Sequence, residues 1–141
     1  MRKSSLVSLG PTRNRFSLRE ILFSAELPAS AVYSQGIRVG NTIYLSGIVA
    51  FDPATKKVEA RTIEEQTERA IRNCESILKS GGSSLEDAVQ VTVLLKNPQD
   101  FDSMNKVYSK IFSMNPPTRA VVKLGVDIPN VLVPIMMTAI I

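Results

Sequence analysis

Residues 131–141, "VLVPIMMTAII", are apolar at nearly every position. A strand with one face in water alternates polar and apolar residues, so a run of this kind needs cover on both faces. Helices packed on one side of a sheet supply only half of that cover. A second chain, or closure of the sheet into a barrel, must supply the rest, and self-association is the simplest solution. Pro134 lacks a backbone N–H, which predicts an edge or bulge position within this strand.

The remainder of the chain fits a sheet that helices cover from one side. "REILFS" (19–24) reads as a short strand, and residues 31–50 as a β-hairpin folded about Gly40-Asn41. Thr62 followed by Glu65 forms a capping box, after which Ile63, Ala70, Ile71, Cys74, Ile77 and Leu78 recur at helical spacing. Gly81-Gly82 end that helix. "SSLED" predicts a single turn and "AVQVTVLLK" (88–96) a strand. In "NPQDFDSMNKVYSKIF", Phe101, Met104, Val107, Tyr108, Ile111 and Phe112 share one helical face. "TRAVVKLG" and the closing apolar run are the last two strands. The order predicts an α+β fold with two helices packed on one mainly antiparallel sheet.

The 141 residues suffice for one domain with a two-layer core. Residues 1–18 form a basic leader and 19–141 the domain. Five basic residues (Arg2, Lys3, Arg13, Arg15, Arg19) and no acid occupy positions 1–19. Of 17 basic residues, 12 then remain against 13 acids, a net of −1 for the body. A near-neutral body argues against a nucleic-acid surface built into the fold. The Arg- and Ser-rich leader has the composition of a mitochondrial transit peptide, although Gly10 and Pro11 interrupt an amphipathic helix; the alternative is a loosely docked tail. The localisation expected is mitochondrial or cytoplasmic. No apolar run is long enough for a membrane-spanning helix.

The inventory restricts the chemistry further. With no histidine in the chain, Ser-His-Asp and Cys-His nucleophile systems and most transition-metal sites are excluded. The one cysteine, Cys74, lies on the apolar stripe of the first helix and reads as packing. Neither a dinucleotide fingerprint nor a P-loop occurs. The acids fall on helix faces and turns, as solvated residues do.

What remains is polar groups in apolar surroundings: Tyr33, Ser46 next to Gly47, Asn105, and Arg119 opening a strand in "NPPTRAVVKLG". An arginine fork binds a carboxylate through two parallel hydrogen bonds. A glycine lets a ligand approach the backbone, and a tyrosine hydroxyl donates to a substrate or holds a water. Together they describe a pocket for a small carboxylate. Each also has a structural alternative: an ion pair for Arg119, ordinary strand packing for Tyr33, a bulge at Gly47, a helix-surface position for Asn105.

In this order and spacing, "YSQGIRVGNTIYLSG", "EEQTERAIRNCESIL", "VTVLLKNPQDFDSMNKVYSKIF" and "PPTRAVVKLGVDIP" resemble the RidA/YjgF family of reactive-intermediate deaminases, from about residue 19 onward. The leader is similar to those of fungal mitochondrial members. The resemblance implies a chorismate-mutase-like fold assembled as a homotrimer, with clefts between subunits and no cofactor. It implies hydrolysis of enamine/imine intermediates such as 2-aminoacrylate and 2-iminobutanoate to 2-keto acids and ammonia. Arg119 would bind the substrate carboxylate, Gly47 would offer backbone contacts beside Ser46, and Tyr33 and Asn105 would line the cleft. Val121 stands where the family has a cysteine, and Ile48 where it has a glutamine. The family's V-E-I-E-like last strand is "VPIM" here, so Pro134 and Met136 replace two glutamates, the second of which is thought to hold the attacking water. Asp127 is one candidate to replace it. Two other readings follow from the same resemblance: a member that binds small carboxylates without turnover, and a ribonuclease or translation inhibitor.

Overall fold

The computed structural model describes residues 18–141. The leader, and with it the transit-peptide expectation, lies outside the described residues apart from Leu18. Six strands and two helices follow in chain order: β1 (Glu20–Leu22), β2 (Gly36–Val39), β3 (Thr42–Leu45), α1 (Ile63–Ser80), β4 (Ala88–Leu95), α2 (Phe101–Ile111), β5 (Thr118–Lys123) and β6 (Ile135–Ile140). They form one sheet in the order β1-β2-β3-β6-β4-β5. All neighbours are antiparallel except β4 and β5, which run parallel. The sheet is open, with β1 and β5 at its edges, so the barrel alternative is removed.

Local signals account for most boundaries. Gly40 adopts φ +60°, the left-handed conformation that the two-residue loop between β2 and β3 requires. At the start of α1 the Glu65 N–H donates to Thr62 Oγ1 at 3.1 Å and the Thr62 hydroxyl donates to the Glu65 carboxylate, also at 3.1 Å. The hairpin strands are shorter than the alternation predicts. The regular ladder begins at Gly36; the Gln35 carbonyl still accepts the Ser46 N–H at 3.0 Å, while its side chain turns inward, where Oε1 accepts the Ser24 N–H at 2.7 Å.

Both helices lie on one face. Ala70, Ile71, Cys74, Ile77 and Leu78 of α1 and Met104 and Tyr108 of α2 are buried against Ile43, Val91, Val93, Ile135, Met137 and Ala139 of the sheet. Burial pushes the Cys74 thiol well above its ordinary pKa, so it stays neutral and inert. Within the single chain only alternate residues of β6 are covered. Met136 and Ile140 are 42% and 46% exposed on the other face, beside Tyr44 and Val122 at 52% and 45%.

Pro134 occupies neither an edge nor a bulge. β6 is central, and Pro134 lies immediately before it, opposite Leu94, whose N–H donates to the Pro134 carbonyl at 2.9 Å. The missing N–H costs only the return bond at the strand entrance. One register irregularity falls in β4, between Ala88 and Gln90, and another in the chain beyond β3, between Tyr44 and Ile48.

Two polar side chains deep in α1 hold the loops around the sheet. Asn73 donates to the carbonyls of Val49 and Phe51, both at 2.9 Å. Gln66, 1% exposed, donates to the carbonyls of Ala60 (2.9 Å) and Asn130 (2.7 Å), and its Oε1 accepts the Leu132 N–H at 2.9 Å. Asn130 sits at φ +66°, a conformation that asparagine tolerates. Truncating Gln66 to alanine strands three backbone groups at once. At ~1–3 kcal/mol for each unsatisfied buried group, partly relieved by water entry, Gln66→Ala is expected to lose about 3 kcal/mol of stability. The midpoint of urea denaturation checks this.

Candidate functional site

Arg119 is the second residue of the edge strand β5, opposite Val91 in the parallel register, which places its side chain on the helix-covered face. There it meets α2. One Nη donates to Asn105 Oδ1 at 2.6 Å. The guanidinium carbon lies 4.7 Å from the centre of the Tyr108 ring and 5.8 Å from that of Phe101. Phe101, Asn105 and Tyr108 follow at i, i+4 and i+7, so one stripe of α2 builds the whole seat. Cation–π attraction from two rings and one amide oxygen fix the plane of the fork. The remaining N–H donors stay open to solvent, since Arg119 is exposed.

The ion-pair alternative for Arg119 fails. Among the described residues the ion pairs belong to Arg72, Lys79 and Lys96, and none involves Arg119. Its neighbour Tyr108 is 4% exposed, and the hydroxyl has no hydrogen-bond partner among the described residues. Burial raises the Tyr108 phenol above its ordinary pKa, and the positive charge of Arg119 offsets part of that rise. The ring is therefore neutral throughout the physiological range. Tyr108 and Phe101 read from sequence as packing residues; nothing in helical spacing distinguishes a ring under a guanidinium from one under an aliphatic neighbour.

Tyr33, Ser46 and Gly47 gather elsewhere. Tyr33, Gln35, Gly47 and Ile48 line a small crevice with Leu27 and Pro28. Ser46 is tied into the chain: its hydroxyl donates to the Ser34 carbonyl at 2.6 Å and its N–H to the Gln35 carbonyl at 3.0 Å. Gly47 has no positive φ, and a Cβ there would meet only Pro134, at 3.9 Å. Neither backbone conformation nor a clash requires glycine at 47, but the bulge alternative holds: the register on β6 shifts by one residue between Tyr44↔Thr138 and Ile48↔Ile135, so Leu45, Ser46 and Gly47 oppose only Met136 and Met137. Gly47→Ala should therefore change the melting temperature by less than about 2 °C, a surface-type effect. If position 47 faces substrate, imine hydrolysis falls at least tenfold in the same sample.

One chain does not bring the two groups together. Ile48 exchanges backbone bonds with Ile135, which pairs with Val93, which pairs with Val121. Three strand spacings of ~4.8 Å put them about 14 Å apart. Val121 itself is half-buried on the same face as Arg119.

Met136, which stands at the family's water-holding glutamate position, and Asp127, the candidate substitute for that acid, are also placed elsewhere. Met136 pairs with Thr92, and Thr92 with Ala120, so Met136 shares the uncovered face with Ala120 while Arg119 faces the helices. Within the chain Met136 does not line the surroundings of Arg119. Asp127 is 87% exposed and pairs with Lys96 at 3.5 Å, beyond the far end of β5. Four residues of extended strand separate Arg119 from that end, which removes Asp127 as a partner.

The endoribonuclease L-PSP family model matches residues 23–141. The chain belongs to this family, RidA/YjgF. A RutC family protein of Saccharolobus solfataricus is 42% identical over 109 residues, spanning 77% of this chain and 86% of its own. Human 2-iminobutanoate/2-iminopropanoate deaminase is 35% identical over 104 residues, 73% of this chain and 76% of its own. Among solved structures, E. coli TdcF with bound serine superposes with a TM-score of 0.80 at 26% identity, covering 86% of this chain and 98% of that one. The RidA/YjgF fold accounts for the two-helix layer and the open sheet face.

Proposed function

We propose that this RidA/YjgF member hydrolyses small 2-imino acids to 2-keto acids and ammonia, with Arg119 as the carboxylate clamp. The observation that carries the reading is the seat of Arg119: a guanidinium oriented by Asn105 and two rings, exposed, and unneutralised by any described acid. A human relative named as an imine deaminase and an E. coli relative crystallised with serine, itself a small amino carboxylate, support it. A protonated 2-imino acid is already electrophilic at C2. Holding its carboxylate on the fork fixes C2 relative to an incoming water, which is the entropic part of the barrier. Water adds to C2, a proton passes to nitrogen, and the C–N bond breaks with loss of ammonia. No histidine is needed for this sequence.

The cleft is completed by a second copy, most simply in a homotrimer. The apolar residues on the uncovered face call for cover, and the three strand spacings, ~14 Å, between Ile48 beside the Tyr33–Gly47 group and the strand that carries Arg119 call for a neighbour to close the site. A second reading, carboxylate binding without turnover, is favoured by one observation: no described carboxylate pairs with Arg119 to hold the water. Following the loss of 2-iminobutanoate generated in situ decides between them. Hydrolysis above the spontaneous rate supports the deaminase. A wild-type rate at background, together with saturable binding of 2-oxobutanoate, supports the binding module.

A further inference from the structure

Past Arg119, β5 continues through Val121 to Lys123, and residues two apart on a strand share a face. Val121 therefore lies about 7 Å further along the same face as Arg119. It forms one wall of a pocket of about 170 Å³, with Leu95, Pro98, Phe101, Val122 and Lys123 as the others. Phe101 belongs to both places: its ring lies under the Arg119 guanidinium and its edge closes this pocket. Five of the six walls are apolar, and Phe101 remains 40% exposed, while the side chain of Val122 points to the other face of this edge strand. At ~30 Å³ for each water-sized group, the space holds about six of them.

We infer that this pocket receives the aliphatic side chain of a carboxylate held on Arg119, so that the preferred ligands are branched or extended aliphatic 2-imino and 2-keto acids rather than the smallest ones. The inference rests on the reading of Arg119 as the anchor. An anion fixed at one end and an apolar recess a few ångströms along the same strand together set both polarity and length. Hydroxylated side chains gain nothing from the five apolar walls and lose their hydration on entering, and Lys123 is the one wall that could favour an anionic side chain. Val121 is then a specificity-determining residue, since its side chain sets the depth between Phe101 and Leu95.

The test is calorimetric titration of the full-length protein with pyruvate, 4-methyl-2-oxopentanoate and 2-oxoglutarate, for wild type, Val121→Phe and Arg119→Ala. Wild type should bind 4-methyl-2-oxopentanoate at least about tenfold more tightly than pyruvate, the discrimination that added methylenes give in an apolar pocket. Val121→Phe fills the recess and should bring the ratio to near one while pyruvate still binds. A flat ratio in wild type overturns the inference on its own, whether or not the variant folds. Tighter binding of 2-oxoglutarate would also overturn it, because Lys123 rather than the apolar walls would then set the preference. If pyruvate binds and Arg119→Ala abolishes it while the ratio is flat, the anchor stands and only the side-chain pocket falls. If none of the three acids binds, both fall.

Discussion

Arg119→Ala is expected to lower kcat/KM for 2-iminobutanoate by about 10²–10³-fold, with the fold intact. The size follows from two losses. The charge-assisted, two-pronged bond to the carboxylate disappears, and bonds to charged groups contribute ~1.5–3 kcal/mol. The orientation of C2 toward water disappears with it, and misplacement alone can cost on the order of 10²-fold. Stability should hardly change, because the side chain is exposed and makes one amide bond and two ring contacts. Arg119→Lys keeps the charge but not the planar fork or the stacking on Tyr108, and should recover only a small part of the rate. Steady-state rates from the coupled imine assay, with thermal melts of the same samples, check all three statements. Equal rates for wild type and Arg119→Ala would remove Arg119 from the chemistry.

Tyr44→Glu should convert a three-chain species into single chains of 15.5 kDa and abolish hydrolysis with it. Tyr44 stands on β3 between Ile37 and Thr138, in the middle of the uncovered face. That face also carries Ile21, Met136, Ile140 and Val122, between 42% and 62% exposed in the single chain. A monomer exposing this much contiguous apolar surface is unusual. Burying a carboxylate in an apolar interface there costs several kcal/mol per site unless the assembly opens. On the folded monomer the change costs little, because position 44 is half-exposed. Light scattering after size exclusion reads the mass, and far-UV circular dichroism shows whether the secondary structure persists. A monomeric wild type would refute the trimer, as would a Tyr44→Glu protein that stays trimeric and active.

Where residues speak to their immediate neighbours, the fold is legible in the sequence. The Thr62 cap on the Glu65 N–H, the Gly40-Asn41 hairpin and the α1 stripe through Cys74 are all local, and the structure has each of them where the spacing puts it. The Glu65 carboxylate, however, accepts the Thr62 hydroxyl and not the Thr62 N–H, which leaves the capping box half formed. The partner of a strand is not local. β5 joins β4 in parallel and stays at the edge, which no alternation pattern encodes, and the central place of β6 is what moves Pro134 from an edge to a strand entrance. Buried polar side chains were missed for a related reason. Gln66 and Asn73 look like solvated helix positions until the loops they tie down are seen. Of the candidate site, the sequence marks Arg119 and Asn105, which meet, and Tyr33 and Gly47, which line one crevice. It does not disclose the role of Tyr108, whose ring carries the guanidinium. Met136 is marked by the family motif and Asp127 by nearness in sequence; within the chain, sheet-face parity separates the first from Arg119 and strand length the second.

The most direct measurement is a crystal structure of the full-length protein with 2-oxobutanoate bound. The account predicts the ligand carboxylate on the Arg119 fork, with Tyr33 and Gly47 of a neighbouring copy closing the cleft over its C2 atom. A ligand seated away from Arg119, or one held on Arg119 with no second chain within contact distance, would contradict it.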